Sequence, residues 1–347
     1  MKKHIKRGVW SWLFTLIIIA LLVFIVRDID FLKIYEVLQK THPVFFVLAV
    51  LSTAAALLIA NLRWKLYFKG ILNVGFWSLL VYFFGGTFFN TVTPGKAVGG
   101  EVARAYFLEK KYNKPKSKLL APIIADKSVY LVILFILTFL SLIYSFIFFN
   151  FNAATEVFFT ILLVFLFFIL SMVFYFFIKH KSINLKGLFG FFFRFKRIKQ
   201  KFKSRRAYDS FIKKKINEFN KAYSKIVYDR TLIYKGIFLS LLYWFLTFLT
   251  AFFLFLGFGF SISFLHIAVV FIISYFIGDI SPIPGGIGLT EGAMFLMYSN
   301  IGISRELSIL VVLLNAFIYY FFSLLVGGLC WLYLRYTFNW KKQENKK

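Results

Sequence analysis

Apolar residues in this chain run in unbroken stretches, without the strict alternation of a half-buried strand or the one-sided stripe of a surface helix. Stretches at 9–26, 44–60, 120–149, 157–178, 236–257 and 307–334 each come close to or exceed the roughly 20 apolar residues a helix needs to cross a bilayer. They predict six full transmembrane helices. Two further apolar stretches, 76–93 and 265–301, end in or are interrupted by chain rich in Pro and Gly. Such chain does not continue a helix, so periodicity alone leaves their path open.

Lys and Arg in the connecting segments settle that path, because loops rich in them stay on the cytoplasmic side. The N-terminal tail carries four, residues 61–75 carry three, and residues 94–118 carry seven. Residues 179–235 hold eighteen against three acids, and the tail from Arg335 holds five against one. Segments 150–156 and 258–264 hold none and suit the outer face. All of these assignments hold together only if 76–93 enters and leaves from the cytoplasm and 265–301 enters and leaves from outside. The expected fold is therefore an all-α polytopic membrane protein with six full helices and two broken re-entrant hairpins in an inverted repeat. It is a single integral membrane domain over 1–347, with a first half (1–149), a basic cytoplasmic loop (179–235) and a second half (157–334). Paired broken segments of opposite orientation are the arrangement that builds transport sites near the midplane.

Composition agrees with this class: 60% of residues are hydrophobic and 22% aromatic, 50 of them Phe, with a mean hydropathy of +0.78. A soluble core could not hide so much apolar surface. The N-terminus has the charge order of a signal peptide (Lys2, Lys3, Lys6, Arg7, then an apolar run). It lacks a small-residue cleavage site, so it reads as a retained first helix. Both termini are expected in the cytoplasm, and the membrane is read as a bacterial inner membrane.

Several chemistries are excluded. Four His and the single Cys330 show no metal-ligand spacing, Gly99-Gly100 and Gly285-Gly286-Ile287-Gly288 lack the ending of a P-loop, and no nucleophile triad is visible. No cofactor is expected. The formal charge of +28 needs no nucleic acid to explain it, because Phe189 to Phe202 interleave with Arg194, Lys196, Arg197, Lys199 and Lys201 as in an amphipathic helix on an anionic leaflet. Membrane lipids are the expected partners, and a homo-oligomer is left open.

The two breaks carry the candidate chemistry. In the first, Pro94 and Gly95 lead through Lys96 to Gly99, Gly100, Glu101 and Arg104. A helix beginning near Gly100 would offer free amides and a positive dipole end to a phosphate, with Lys96 and Arg104 adding full charges. The plainer alternative is an i,i+3 pair of Glu101 with Arg104 on a surface helix. In the second break, Asp279, Pro282, Pro284, Gly285, Gly286 and Gly288 precede Glu291, and a helix is expected to start near Thr290, capped by its hydroxyl. A carboxylate among Leu289, Ala293, Met294 and Phe295 at membrane depth marks a pathway or a paired partner, with a helix-dipole partner as the plain alternative. Asp126-Lys127 opens the long middle helix, as a functional pair or as an interfacial pair with Lys127 snorkelling. Arg63-Trp64-Lys65 closes the second span, where cations and aromatics are the default. Pro94 and Pro284 are each followed seven residues later by a Glu, a weak echo of the proposed repeat.

These pieces carry a resemblance that covers nearly the whole chain. Leu62-Arg63-Trp64, Pro94-Gly95 through Gly99-Gly100-Glu101 to Arg104, Asp126-Lys127, and Pro284-Gly285-Gly286-Ile287-Gly288 with Glu291 occur in order. Together they resemble the flippase-like, UPF0104-type family typified by the transmembrane region of lysylphosphatidylglycerol synthase, the multiple peptide resistance factor. Lys127 stands where that family commonly has Arg, which removes a bidentate donor. The resemblance implies a domain that moves a phosphate-bearing lipid between leaflets, either aminoacyl-phosphatidylglycerol or a polyprenyl-phosphate-linked glycolipid. Lysyl transfer belongs in that family to a separate soluble domain. Only Asn339 to Lys347 follow the last span here, so a lysyltransferase activity is not expected. Two other classes fit the residues: a membrane-embedded lipid-modifying transferase using Asp279 or Glu291 as base, and a scaffold whose basic loop docks partners.

Overall fold

The computed structural model of the protein describes Gln39 and residues 41–93, 99–151, 153–179, 204–281 and 283–344. The expected span at 9–26, the Phe-rich basic stretch 189–203, and Pro94, Gly95, Lys96 and Pro282 lie outside these residues.

The described chain is helical throughout, with no strand among the described residues. In order, α1 is Pro43–Tyr67, α2 Phe76–Val92, α3 Gly99–Tyr112, α4 Lys116–Phe148, α5 Ala153–Lys179 and α6 Arg205–Val227. Then come α7 Arg230–Gly257, α8 Phe264–Ile280, a 3-10 turn at Pro284–Gly286, α9 Leu289–Asn300, α10 Arg305–Tyr320, a π-helical stretch Phe321–Val326, and α11 Gly327–Glu344. Helices long and apolar enough to cross a membrane are Pro43–Tyr67, Lys116–Phe148, Ala153–Ser171, Arg230–Gly257 and Arg305–Thr337. They correspond to the expected spans from 44–60 onward, each starting somewhat earlier than expected. The chain is thus an all-α, multi-pass membrane protein.

The two short apolar helices, α2 and α8, are 17 residues each. At 1.5 Å per residue that is about 25 Å, short of a hydrocarbon core of about 30 Å. Each is followed by a break and a second helix packed against it, α3 on α2 and α9 on α8. The stretch 307–334, expected as a full transmembrane helix, lies in one continuous span, Arg305–Thr337, that contains the π-helical residues Phe321–Val326. Close packing against α2 is the physical reason: a Cβ on Gly327 would sit 2.7 Å from the Phe84 carbonyl and 3.1 Å from the Phe88 Cβ. The wider turn shifts the register so that the glycine, rather than a bulky neighbour, meets α2.

The most extensive packing joins α1 to α7, where the Thr53 and Thr250 hydroxyls hydrogen-bond at 3.0 Å. One apolar core is built on α4, α7, α8, α9 and α10 around Trp244, Phe271 and Tyr298. A second, around Trp64, Phe68 and Leu79, gathers α1, α2 and α3.

Helix α6 is a different kind of element. It buries Tyr208, Ile216, Phe219 and Ile226 on one face and lies along the N-terminal part of α4. There Ser117 donates to Glu218 at 2.6 Å and Lys215 bridges to the same carboxylate at 3.0 Å. These two donors hold the Glu218 carboxyl below its ordinary range.

Candidate functional site

The second break is built from residues that only glycine can supply. Gly285, Gly286 and Gly288 have φ of 64°, 67° and 86°, in the left-handed region that costs an L side chain about 1–2 kcal/mol. Close approach adds to the demand: a Cβ on Gly286 would lie 2.7 Å from the Gly278 carbonyl, and a Cβ on Gly278 would collide with the Thr290 hydroxyl. The turn therefore folds α9 tightly back on the end of α8. Gly288 is the N-cap of α9, and its N–H donates to Glu291 Oε2 at 2.7 Å. Thr290, expected as the cap, instead donates its hydroxyl to the Gly286 carbonyl at 3.2 Å. The longer Glu side chain reaches back one turn and takes the orphan amide first. Tyr320 donates to the other Glu291 oxygen at 3.0 Å. Among the described residues no Lys or Arg bridges to Glu291.

The first break is closed differently. The Gly100 N–H, expected to face an anion, donates to Asn90 Oδ1 at 2.7 Å. Arg104 donates to Glu101 at 3.0 Å and to the Phe83 carbonyl at 3.2 Å. That pair is the i,i+3 partnership foreseen as the plain alternative, but it is internal, with side chains only 6% and 14% exposed. The Arg104 guanidinium lies over Phe83 at 4.6 Å and Trp64 at 5.1 Å, and its Nε is buried without a hydrogen-bond partner. The absence of a side chain at Gly86 makes the room, since a Cβ there would strike the Arg104 stem.

The tips of the two breaks touch. The 3-10 turn packs on α2, and a Cβ on Gly285 would come within 3.2 Å of the Thr91 carbonyl. Two segments almost two hundred residues apart are thus brought to backbone contact by glycine.

A third polar group lies between α1, α4 and α7. Arg63 grips Asp126 through Nε at 2.6 Å and Nη2 at 3.4 Å, and its Nη1 donates to Ser240 at 3.0 Å. Arg63, Asp126 and Ser240 are all buried. Asp126 therefore pairs with Arg63, 63 residues away, and not with its neighbour Lys127, whose ammonium sits 4.5 Å over the Tyr130 ring. The Tyr130 hydroxyl donates to Asp279 at 3.1 Å, tying α4 to the end of α8. Adjacent residues of one motif thus serve both groups: Arg63 holds Asp126 while Trp64 supports Arg104.

The sequence was compared with known proteins. The family described as the lysylphosphatidylglycerol synthase TM region matches residues 11–327. The chain belongs to this family. Similar relatives are a UPF0104 membrane protein of Pyrococcus horikoshii, 26% identical over 85% of this chain and 88% of that protein, and one of Methanothermobacter thermautotrophicus, 27% identical over 80% and 81%. Another, from Methanocaldococcus jannaschii, is 25% identical over 94% of both chains.

In this member of the lysylphosphatidylglycerol synthase TM-region family, the space beside Glu291 is polar and small. A cavity of about 10 Å³ is lined by Glu291, Tyr320, Thr290, Tyr275, Tyr319 and Asn315. A second, of about 20 Å³, is lined by Thr53, Tyr243, Thr247 and Thr250 and shares Tyr275, Tyr319 and Asn315. Each is of the size that holds a single water. Sequence reasoning passed over Asn315, Tyr275 and Tyr319. Asn315 had a signal, being a lone amide inside the apolar run 307–334, whereas the tyrosines are lost among the 19 in the chain.

Proposed function

We propose that this chain moves a phosphate-bearing amphipathic lipid between the leaflets of a prokaryotic cytoplasmic membrane, with both of its own termini on the cytoplasmic side. Aminoacyl-phosphatidylglycerol and polyprenyl-phosphate-linked glycolipids are the two headgroup classes that suit the family. The membrane is broadened from a bacterial one because the similar relatives are archaeal. The observation that carries this reading is the meeting of the two breaks, Thr91 against Gly285, beside the water-sized polar cavity lined by Glu291. Irregular backbone inside an apolar bundle is tolerated where it lines a polar cavity, and paired breaks are how helical transporters build a site.

Asn90 and Glu101 hold the Gly100 amide and Arg104. A lipid phosphate at the first break takes those donors over, and Gly99 and Lys96 border the same place in the sequence. Glu291, with Asp279 near it along the chain, receives a cationic or hydroxylated headgroup or a coupling proton. The tail stays in the bilayer, and movement is passive or ion-coupled.

Headgroup translocation in proteoliposomes tests this, with phosphatidylglycerol, its lysyl derivative and an undecaprenyl phosphate lipid as substrates. At least one is expected to cross faster than in empty liposomes. Glu291→Gln keeps the shape of the cap and is expected to slow it roughly ten- to hundredfold, the rate equivalent of one hydrogen bond to a charged group. Wild-type protein indistinguishable from empty liposomes for all three lipids overturns the proposal.

A further inference from the structure

A hollow larger than those beside Glu291 lies behind the first break. It is a groove of about 780 Å³ between α2, α3, the start of α4 and α11, within the size range of ligand pockets. Its walls are mostly apolar: Phe89 and Trp331 pack edge to face at 6.0 Å, and Val102 and Tyr106 of α3 leave 61% and 44% of their surfaces exposed. Two cations line it, Lys116 and Arg335. Lys116 bridges to Glu109 at 3.0 Å, with half of its side chain still exposed. Arg335 lies over the Trp331 ring at 5.7 Å, and no described carboxylate pairs with it. Lys110 stands beside Tyr106 and adds a third positive charge against the single Glu109.

We infer that this groove holds one molecule of a phosphate-bearing lipid, its tail along Phe89, Val102, Tyr106 and Trp331 and its phosphate between Arg335 and Lys116. Charge complementarity selects this occupant. An aromatic trough lined by a guanidinium and an ammonium, with Glu109 the one described carboxylate bridged to either, suits an amphiphile with an anionic head, since guanidinium is the cation best matched to phosphate oxygens. A wholly apolar segment would leave Arg335 facing hydrocarbon, which is costly. The groove also reaches Gly99 and Ala103, one helical turn from the Gly100 amide and Arg104, so a lipid lodged there lies next to the first break. This assignment rests on the lipid-transport reading and makes the groove its loading site on the Lys/Arg-rich side.

The test uses the full chain purified in mild detergent, with bound lipid counted by native mass spectrometry after incubation with phosphatidylglycerol or phosphatidylcholine. One lipid is expected to be retained, with phosphatidylglycerol preferred. Arg335→Gln combined with Lys116→Gln is expected to lower that preference roughly tenfold. Ala103→Trp, which fills the trough without touching either cation, is expected to remove both lipids. Soluble glycerol phosphate at equal concentration is expected not to displace the lipid. Retention unchanged in both variants overturns the assignment. So does crosslinking of residues 9–26 of the same chain to Ala103→Cys, or displacement of the lipid by glycerol phosphate. Translocation assayed on the same preparations separates the two claims. Loss of retention in Ala103→Trp, in a protein whose wild type moves no lipid, upholds the groove and sinks the transport reading. Unchanged retention in a protein that does move lipid sinks only the groove.

Discussion

The two breaks begin with the same grammar, a Pro-Gly pair followed seven residues later by a glutamate, yet they place that glutamate in opposite circumstances. Glu101 is neutralised by Arg104 and sits in a knot of close contacts in which Gly86 and Gly100 leave no room for a side chain. Among the described residues Glu291 receives only neutral donors, an amide and a phenol, and it borders a cavity the size of a water. A carboxylate already matched by a guanidinium is a structural clasp. One held by neutral donors beside a small polar cavity can be altered without leaving a buried cation behind. The difference predicts that damage to the first break costs stability as well as transport, whereas loss of the Glu291 charge is read mainly as lost transport.

The largest effect is expected from Arg104→Ala. It strands Glu101 in a buried site and opens space against Phe83 and Trp64, and stability should fall by about 3–5 kcal/mol. Unfolding in detergent followed by tryptophan fluorescence measures this, and a change under about 1 kcal/mol would break the comparison at its root, on the same scale. Gly285→Ala comes next. Its φ of 64° and the nearby Thr91 carbonyl predict a loss of about 1–2 kcal/mol, with translocation impaired because the tips no longer seat. Stability unaltered in that variant would mean that the tips do not meet in the working protein. Glu291→Gln should cost less than about 1 kcal/mol, since an amide oxygen still accepts from Gly288, while translocation slows sharply. A thermal midpoint lowered as far as that of Arg104→Ala would erase the distinction.

The smallest effect lies away from both breaks and serves as a control. Because Ser117 and Lys215 lower the Glu218 carboxyl from its ordinary 4.5, that group contributes stability above the ordinary value and loses it as pH falls through the lowered one. The protection of α6 amides, taken relative to their intrinsic exchange rate at each pH, is therefore expected to fall on acidification below about 4.5, while that of α2 and α8 holds. Glu218→Gln should flatten that pH dependence, and an unchanged profile would remove Glu218 as its source.

Much of this architecture could be read from sequence because lipid imposes a length. Runs such as 236–257 had to be helices, and the helix starts near Gly100 and Thr290 followed from the glycines and prolines before them. What could not be read was partnership. Nothing near Arg63 in the chain names Asp126, and nothing near Gly86 says that Arg104 will lie against it, because each depends on how α1 and α4, or α2 and α3, come together in space. Glu291 was singled out for its cost at membrane depth, but its partner Tyr320 is one phenol in an aromatic crowd. The π-helical residues within 307–334 were equally hidden, since the register shift answers to Phe84 and Phe88 on a distant helix. The groove escaped for the same reason: Val102, Lys116 and Arg335 become neighbours only after folding.

The π-helical stretch Phe321–Val326 turns that last helix into a crankshaft. On one side of the offset, Tyr320 holds the carboxylate of the second break. On the other, Trp331 stacks on Phe88 at 5.4 Å and presents Arg335 at the groove. One helix thus carries contacts to both breaks on two separately oriented faces, although no residue belongs to both.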